Sequence, residues 1–204
     1  DYQRSRGLGD VYKRQDVRKT ATSNFKHHGE RIYLVGTTYD ELGASEVAFH
    51  LRERGEVSGI GGQVPLLENP EVQLEVYRKL STAIQSGLIR TAHDCSEGGL
   101  AIALAEMCIG GRCGAFIDID GIGPGDAFSR LWSESLGRIV VSVEAEHEVA
   151  FVEMMEGADL HLIGMVSASS ELLIEDGYDT LIQADVEQLT ESWKGALDMT
   201  GVVE

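Results

Sequence analysis

Short apolar runs alternate along the chain with longer segments in which apolar residues recur every three or four positions. The short runs predict buried strands, and the longer period predicts helices. Strands are predicted at 32–36, 89–92, 115–119, 138–143, 160–166, 171–174 and 180–182. Helices are predicted at 45–54, 69–86, 100–108, 124–132 and 147–156, and from 185 onward. This alternation predicts an α/β (layered α+β) fold, in which helices flank a mixed sheet.

Two of the predicted helices have clear sequence boundaries. Asn69 and Pro70 suit the N-cap and the first helical position, and Gly87 suits the residue that ends a helix. Asp185 opens the last helix, and Gln188 completes a capping box. One apolar stripe runs along the first of these helices, and a buried stripe is expected in the second. The first stripe consists of Val72, Val76, Leu80 and Ala83, and the second of Val186, Leu189, Trp193 and Ala196.

The amino-terminal segment differs from everything that follows it. Its first fifteen residues are rich in Arg, Lys and Gly and show no apolar period, and residues 20–29 have the composition of a loop. We therefore expect residues 1–24 to be a non-native or disordered leader. Residues 25–204 are expected to form one domain.

The charge balance excludes one class of partner. Asp and Glu number 34 against 17 Lys and Arg, which gives a net charge of -17. Nucleic acid is not expected as a partner, because binding its phosphates needs excess cationic charge. Small phosphorylated ligands stay compatible, since backbone N–H groups and metal ions can hold them. No apolar run approaches the ~20 residues of a membrane span, so no membrane partner is expected.

Three cysteines are present without a C-x-x-C pair, which argues against a disulfide framework and against a zinc site. This usage fits a reducing cytosol. Each thiol is expected to be a small buried hydrophobe. The three residues are Cys95, Cys108 and Cys113.

The segment A-H-D-C-S-E-G-G-L at 92–100 is the strongest candidate for chemistry. A strand ends in polar residues, and paired glycines then open an apolar helix. Asp94 offers the hard oxygen ligands that magnesium prefers, and the helix start offers N–H groups to a phosphate. In the alternative interpretation, Asp94 or Ser96 caps the helix and the glycines, Gly98 and Gly99, permit close packing.

Two further polar corners precede or follow predicted strands. The turn 133–138 leads into a buried strand, and Glu134, Ser135 and Arg138 are placed to meet a ligand there. The segment E-L-G-A-S-E at 41–46 combines carboxylates with Gly and Ser. The alternatives are an ordinary turn with a salt bridge in the first case, and a loop with a helix N-cap in the second.

Together these segments resemble a known family. E-L-G-A-S-E, A-H-D-C-S-E-G-G-L-A-I-A-L-A-E and L-W-S-E-S-L-G-R-I-V-V-S-V occur in this order in phosphoribosylformylglycinamidine synthase. The stretch 25–197 is similar to its carboxy-terminal domain, whose fold is shared with aminoimidazole ribonucleotide synthetase. The resemblance implies a ligase of purine biosynthesis that uses ATP, Mg²⁺ and ammonia from glutamine to convert formylglycinamide ribonucleotide (FGAR) to the amidine.

The resemblance also assigns roles to residues. It implies that Asp94 corresponds to a magnesium-binding Asp in the synthase's other half. It places Ser96, Gly98, Gly99, Glu134 and Ser135 at a nucleotide or substrate pseudo-site. In this sequence Leu136 stands where the related substrate loop has an amide, which implies a degenerate site. No catalytic residue of the synthase falls within this stretch.

Three expectations about the whole protein follow from the resemblance. The chain is expected to be cytoplasmic and inactive by itself. Its partners are expected to be the amino-terminal domains of the same protein, a glutaminase subunit and a small accessory subunit. Two alternatives stay open: a related ATP-using synthetase, such as aminoimidazole ribonucleotide or selenophosphate synthetase, and a non-catalytic structural module.

Overall fold

A computed structural model describes residues 19–56, 62–67 and 69–195. Most of the expected leader, and Ala196 of the last predicted stripe, therefore lie outside the described residues. The described part of the leader already contacts the sheet, because the Thr22 N–H donates to the Arg90 carbonyl and the Thr22 carbonyl accepts from Ala92, both at 3.0 Å. Phe25, the first residue of the expected domain, is fully buried.

Seven strands form one mixed sheet in the described part of the chain. They are β1 (Arg31–Val35), β2 (Ile89–Asp94), β3 (Gly114–Asp118), β4 (Ile139–Val143), β5 (Leu160–Ser167), β6 (Glu171–Asp176) and β7 (Asp179–Asp185). Their spatial order is β2-β4-β1-β5-β3-β6-β7. The β3–β6 pair is parallel, and the other neighbouring pairs are antiparallel. The predicted fold class, a mixed sheet with flanking helices, is confirmed.

Six α-helices accompany the sheet within the described ranges. They are α1 (Glu46–Glu53), α2 (Pro70–Ser86), α3 (Gly99–Gly111), α4 (Ala127–Trp132), α5 (Glu148–Met154) and α6 (Val186–Gly195). A 3-10 turn over Ala145–His147 precedes α5. None of the described helices is long and apolar enough to cross a bilayer.

Each face of the sheet buries its own hydrophobic core. On one face, α3, α4 and α6 pack over β1, β3, β5 and β6 through residues such as Leu104, Leu131 and Val186. On the other face, α2 and α5 pack over β1, β2 and β4 through residues such as Leu80 and Phe151. Helix α3 buries seven of its thirteen residues in the larger core, which accounts for its largely apolar sequence.

Both predicted helical stripes are buried over only part of their length. Val76, Leu80 and Ala83 of α2 are buried, but Val72 is 60% exposed. In α6, Val186 is buried, whereas Trp193 is 54% exposed. The expectation that Trp193 is buried is therefore wrong, and the apolar stripe of α2 extends beyond the core at Val72. The spacing of apolar residues shows which face of a helix is apolar. How many turns of that face are buried depends on the size of the surface against which the helix packs.

Helix boundaries follow the capping side chains. Gly87 ends α2 in the left-handed conformation, with φ of 81°, as predicted. Helix α4 begins at Ala127, later than the predicted 124, because Asp126 caps it by accepting the Ser129 N–H at 2.9 Å. Asp185 precedes α6 and accepts the N–H groups of Glu187 and Gln188.

Candidate functional site

The three polar corners predicted from the sequence lie together at one end of the sheet. Ile139, the first residue of β4, pairs with Val35 at the end of β1 and with Asp94 at the end of β2. The loops that follow β1 and β2 and the turn that precedes β4 therefore meet. The predicted convergence of the segments around Asp94 and Glu134 is confirmed by this pairing.

Glu134 links two of these loops through a single oxygen. Its Oε1 accepts the Gly98 N–H and the Glu46 N–H, both at 2.8 Å. Gly98 is the N-cap of α3 and Glu46 is the first residue of α1, so one carboxylate occupies the positive ends of two helices. We call the set of Glu134, Gly98 and Glu46 the Glu134 clamp. The Gly98 N–H, a candidate phosphate ligand from the sequence, is satisfied by a side chain of the same chain.

The paired glycines allow close approach of α3 to the end of α4. Gly99 has φ of 64°, and a Cβ built there would lie 2.6 Å from the Ser133 carbonyl oxygen and 2.7 Å from that of Leu131. Gly98 has φ of 77°, and its Cβ would meet the Ile102 side chain at 2.3 Å. This geometry supports the alternative interpretation from the sequence, in which the glycines permit tight packing.

Two serines of the turn before β4 hold the loop that follows β1. The Ser133 hydroxyl accepts the Glu41 N–H at 3.1 Å, and the Ser135 hydroxyl accepts the Tyr39 N–H at 3.0 Å. Both serines are fully buried. The resemblance places Ser135 at a ligand pseudo-site. In the structure, its hydroxyl forms a hydrogen bond with a loop of its own chain.

Arg138 is the largest fully buried side chain at this end of the sheet. It is 1% exposed and donates to Thr38 Oγ1 at 3.2 Å, to the Arg130 carbonyl at 3.3 Å and to the Ser133 carbonyl. Burial lowers the pKa of its guanidinium, and the negative charges nearby, with Glu41 and Glu134 among them, oppose that shift. The prediction that Arg138 meets a ligand at the strand start is not supported, because the side chain is enclosed.

Glu41 is the nearby carboxylate whose importance the sequence did not reveal. It is buried, and its Oε1 accepts the Leu66 N–H at 3.3 Å. Its Oε2 has no hydrogen-bond partner among the described residues. Within E-L-G-A-S-E, nothing distinguishes this buried carboxylate from an exposed one, since the two loops that enclose it are distant in sequence.

Asp94 and Ser96 are the site residues that face solvent. The Asp94 side chain is 77% exposed, and its Oδ1 lies 3.8 Å from His93 Nδ1. His93 is enclosed more deeply, and its Nε2 lies 3.1 Å from a carboxylate oxygen of Glu106 on α3. Neither of the two groups of three metal-ligating side chains among the described residues includes Asp94. A magnesium ion at Asp94 would therefore need ligands from phosphate, water or another part of the protein.

Cys95 lies between Asp94 and Ser96, and its environment makes the thiol unreactive. It is buried, and its backbone N–H donates to the Arg138 carbonyl at 3.0 Å. Burial raises the pKa of its thiol to about 11, against a smaller opposing effect of Arg138. Cys108 and Cys113 are also buried and free, which confirms the prediction for all three cysteines.

The family model for "AIR synthase related protein, C-terminal domain" matches residues 27–176. The matched region contains all three loops of the site and six of the seven strands. The chain belongs to this family. We refer to it below as the AIR synthase related domain.

Solved structures with this fold include large synthetases. The domain is similar to Thermotoga maritima PurL complexed with FGAR, with a TM-score of 0.72 and 16% identity over 85% of this chain and 30% of that one. The same protein complexed with ATP gives a TM-score of 0.66 and 17% identity over 85% and 28%. PurLQS from Thermotoga maritima gives 0.66 and 18% over 85% and 28%. The AIR synthase related domain thus spans less than a third of each of these chains.

A second group of solved structures with this fold comes from a different kind of protein. The hydrogenase maturation protein HypE in complex with ATP gives a TM-score of 0.54 and 13% identity, over 81% of this chain and 53% of that one. At these identities, both groups of structures establish the fold of the AIR synthase related domain and nothing finer.

The AIR synthase related domain exposes apolar side chains beside its site. Leu66 lies where Glu41 accepts a backbone N–H group. Leu136 lies in the turn after Glu134, and Tyr39 lies in the loop after β1. All three side chains are exposed. Exposed apolar side chains thus lie beside the exposed polar residues Asp94 and Ser96 at this end of the sheet.

Proposed function

We propose that the chain is the carboxy-terminal part of phosphoribosylformylglycinamidine synthase, the ligase that forms a carbon–nitrogen bond in converting FGAR to its amidine. The observation that carries this proposal is the Glu134 clamp. Its hydrogen bonds join the three segments on which the sequence resemblance rests, so the resemblance corresponds to one physical arrangement. The fold shared with PurL in complex with FGAR supports it further.

ATP and Mg²⁺ are the cofactors of the proposed enzyme, and the similar structures of PurL and HypE were solved in complex with ATP. The residues proposed for contact with them in this chain are Asp94 and Ser96, whose side chains are exposed. Glu134, Ser135 and Gly98 bond to one another's loops instead. We infer that this corner is a degenerate counterpart of a nucleotide site, in which a protein carboxylate stands where a phosphate would bind a helix start.

The chemistry then belongs to other domains of the synthase. The resemblance places the catalytic residues of the synthase outside this stretch of the chain. The role proposed for this domain is to position the domain that holds the substrate and to cover its apolar surfaces. Alone, the chain is therefore proposed to be inactive in the ligase reaction.

The proposed partners are the amino-terminal domains of the same protein, together with a glutaminase and a small accessory subunit, in the cytoplasm. Exposed apolar side chains support the proposal that another domain or subunit covers part of this surface. Besides the side chains beside the site, Phe116 on β3 and Met165 on β5 pair across the sheet, and both are exposed. Leu162 of β5 is exposed on the same sheet.

The fold shared with HypE favours a second candidate, a related ATP-using synthetase that does not act on FGAR. Thermal unfolding of the intact protein separates the two. Under the first proposal, FGAR raises the melting temperature, and it does so further with a non-hydrolysable ATP analogue and Mg²⁺. A rise with the nucleotide alone and none with FGAR would contradict the first proposal and support the second.

A further inference from the structure

A group of metal-ligating side chains lies at the end of the sheet opposite the Glu134 clamp. One ligand atom each from His27, Glu30 and Glu144 lies within 4.8 Å of the others. Glu144 belongs to a second such group with Glu146 and His147. Two imidazoles and three carboxylates are thus concentrated in two short segments that are distant in sequence.

The sheet brings these two segments together. Arg31, at the start of β1, pairs with Val143, at the end of β4, so the preceding Glu30 and the following Glu144 emerge side by side. The clamp lies at the other end of the same strand pair, where Val35 pairs with Ile139. Four residues of extended chain separate the two ends, which is about 13 Å. The group is therefore distinct from the site described above.

Glu30 provides an independent reason to expect a cation here. Its side chain is 5% exposed, and its Oε2 accepts the Ser142 hydroxyl at 2.5 Å. No cationic side chain of the described residues forms an ion pair with Glu30. A buried carboxylate normally has a cationic partner or binds a metal ion, because leaving its charge uncompensated away from water is costly.

Lys26 is the candidate for a cationic partner of Glu30, but its ammonium group forms hydrogen bonds with other residues. Its Nζ donates to Thr22 Oγ1 and, at 3.4 Å, to the Asn24 carbonyl. Burial lowers the pKa of this ammonium, and the charge of Glu30 opposes the shift without forming an ion pair. The charge of Glu30 therefore acts on Lys26 without an ion pair, whereas the ligand atoms of His27 and Glu144 lie within 4.8 Å of a Glu30 carboxylate oxygen.

We propose that His27, Glu30 and Glu144 bind a divalent transition-metal ion of the zinc class. An imidazole combined with carboxylates suits zinc and its neighbours in the first row, whereas magnesium prefers oxygen ligands alone. Ligands of a tetrahedral zinc ion lie about 3.3 Å apart, so shifts of about 1 Å close this group around an ion. Glu146, His147 or water then fills the fourth position.

The proposed ion ties the segment before β1 to the segment after β4. Because His27 is exposed and Glu144 is half-buried, a metal ion from solution reaches the group without opening the core. The ion therefore acts on the stability of this end of the sheet and takes no part in chemistry at the clamp. The proposal is independent of the proposed function.

The test uses the full chain after removal of metals with a chelator. Zn²⁺ is titrated calorimetrically, and Co²⁺ serves as a spectroscopic probe of imidazole ligation. We expect one ion per chain, a rise in melting temperature with Zn²⁺, and no comparable rise with Mg²⁺. His27→Ala and Glu144→Gln should each weaken Zn²⁺ binding at least tenfold. Both side chains are at least partly exposed, so these variants are expected to fold.

His28→Ala is the matched control, because His28 is the adjacent exposed imidazole and its Nδ1 lies 2.9 Å from the Ser167 carbonyl oxygen. It should bind Zn²⁺ as tightly as the wild-type chain. The proposal is overturned if the chain binds no stoichiometric Zn²⁺. It is overturned equally if binding survives His27→Ala but is lost in His147→Ala, since the ion would then occupy the other group.

Discussion

At the scale of single residues, the corner of the domain is organised by a carboxylate that binds backbone groups of its own chain. Glu134 accepts two backbone N–H groups at helix starts, and Ser133 and Ser135 accept two more from the loop after β1. The polar residues that suggested a binding site therefore satisfy the backbone of neighbouring loops. Buried N–H groups without acceptors are costly, which explains why these side chains are polar.

Replacing Glu134 by Ala is expected to destabilise the domain by about 2 kcal/mol, because two N–H groups at helix starts lose their acceptor. Glu134→Gln keeps an acceptor oxygen and should cost about half as much. Urea unfolding measures both. Glu97→Ala, at a neighbouring exposed carboxylate, is the control and should lie within about 0.5 kcal/mol of the wild type. Equal stabilities for Glu134→Ala and the control would refute the clamp.

Gly99→Ala is expected to cost about 3 kcal/mol, since the added methyl group approaches two carbonyl oxygens at under 3 Å and φ is positive. Gly121→Ala separates these two effects. Gly121 has a similar φ of 73° with nothing within 4 Å of the added Cβ, so its substitution should cost about 1 kcal/mol. If the two variants unfold at the same denaturant concentration, close packing of α3 against the end of α4 is not what requires the glycine.

At the scale of elements, the sequence predicted all seven strands and their approximate limits, because short apolar runs bounded by polar turns are a local signal. The order of the strands was not predictable in this way. Strand β1 lies between β4 and β5, and these pairings join residues more than a hundred positions apart. Helix burial was predicted correctly for Leu80 and wrongly for Trp193, since the partner surface is not a local property.

In the candidate site too, local features were predictable from the sequence and contacts between distant segments were not. The sequence located its three loops, and the resemblance grouped them, but neither indicated that Glu134 bonds to the other two loops. Exposure of Asp94 and enclosure of Arg138 depend on how loops from three strands pack. A charged residue in a short polar turn looks the same in the sequence whether its side chain is exposed or enclosed. The sequence therefore suggested a ligand contact for Arg138, which is enclosed, and did not reveal that Glu41 is buried.

Helix α4 has only six residues, so its cap should matter. Asp126→Ala is expected to cost about 1 kcal/mol at neutral pH. The hydrogen bond from the Ser129 backbone N–H is the main reason why the pKa of Asp126 lies below its ordinary value. A lowered pKa means that the stabilisation is present at neutral pH and is lost as the pH falls through the folded-state value. Chemical unfolding of both proteins between pH 7 and 3 should therefore show their difference shrinking toward acid. A difference that stays constant would exclude the charged cap.

At the scale of the whole molecule, the domain combines an acidic composition with apolar side chains left in solvent at several places. Its net charge is -17. Leu66, Leu136 and Phe116 are exposed. A stable scaffold with an uncovered apolar surface is what we expect of one domain of a larger synthetase.

We propose that this domain supports a ligase reaction whose catalytic groups lie in other domains. The most direct measurement is ADP release that depends on both ammonia and FGAR, compared between the full-length protein and this chain alone. We expect turnover by the full-length protein and none by the isolated domain. Turnover by the isolated domain, or a full-length protein that releases no ADP with FGAR and ammonia, would contradict it.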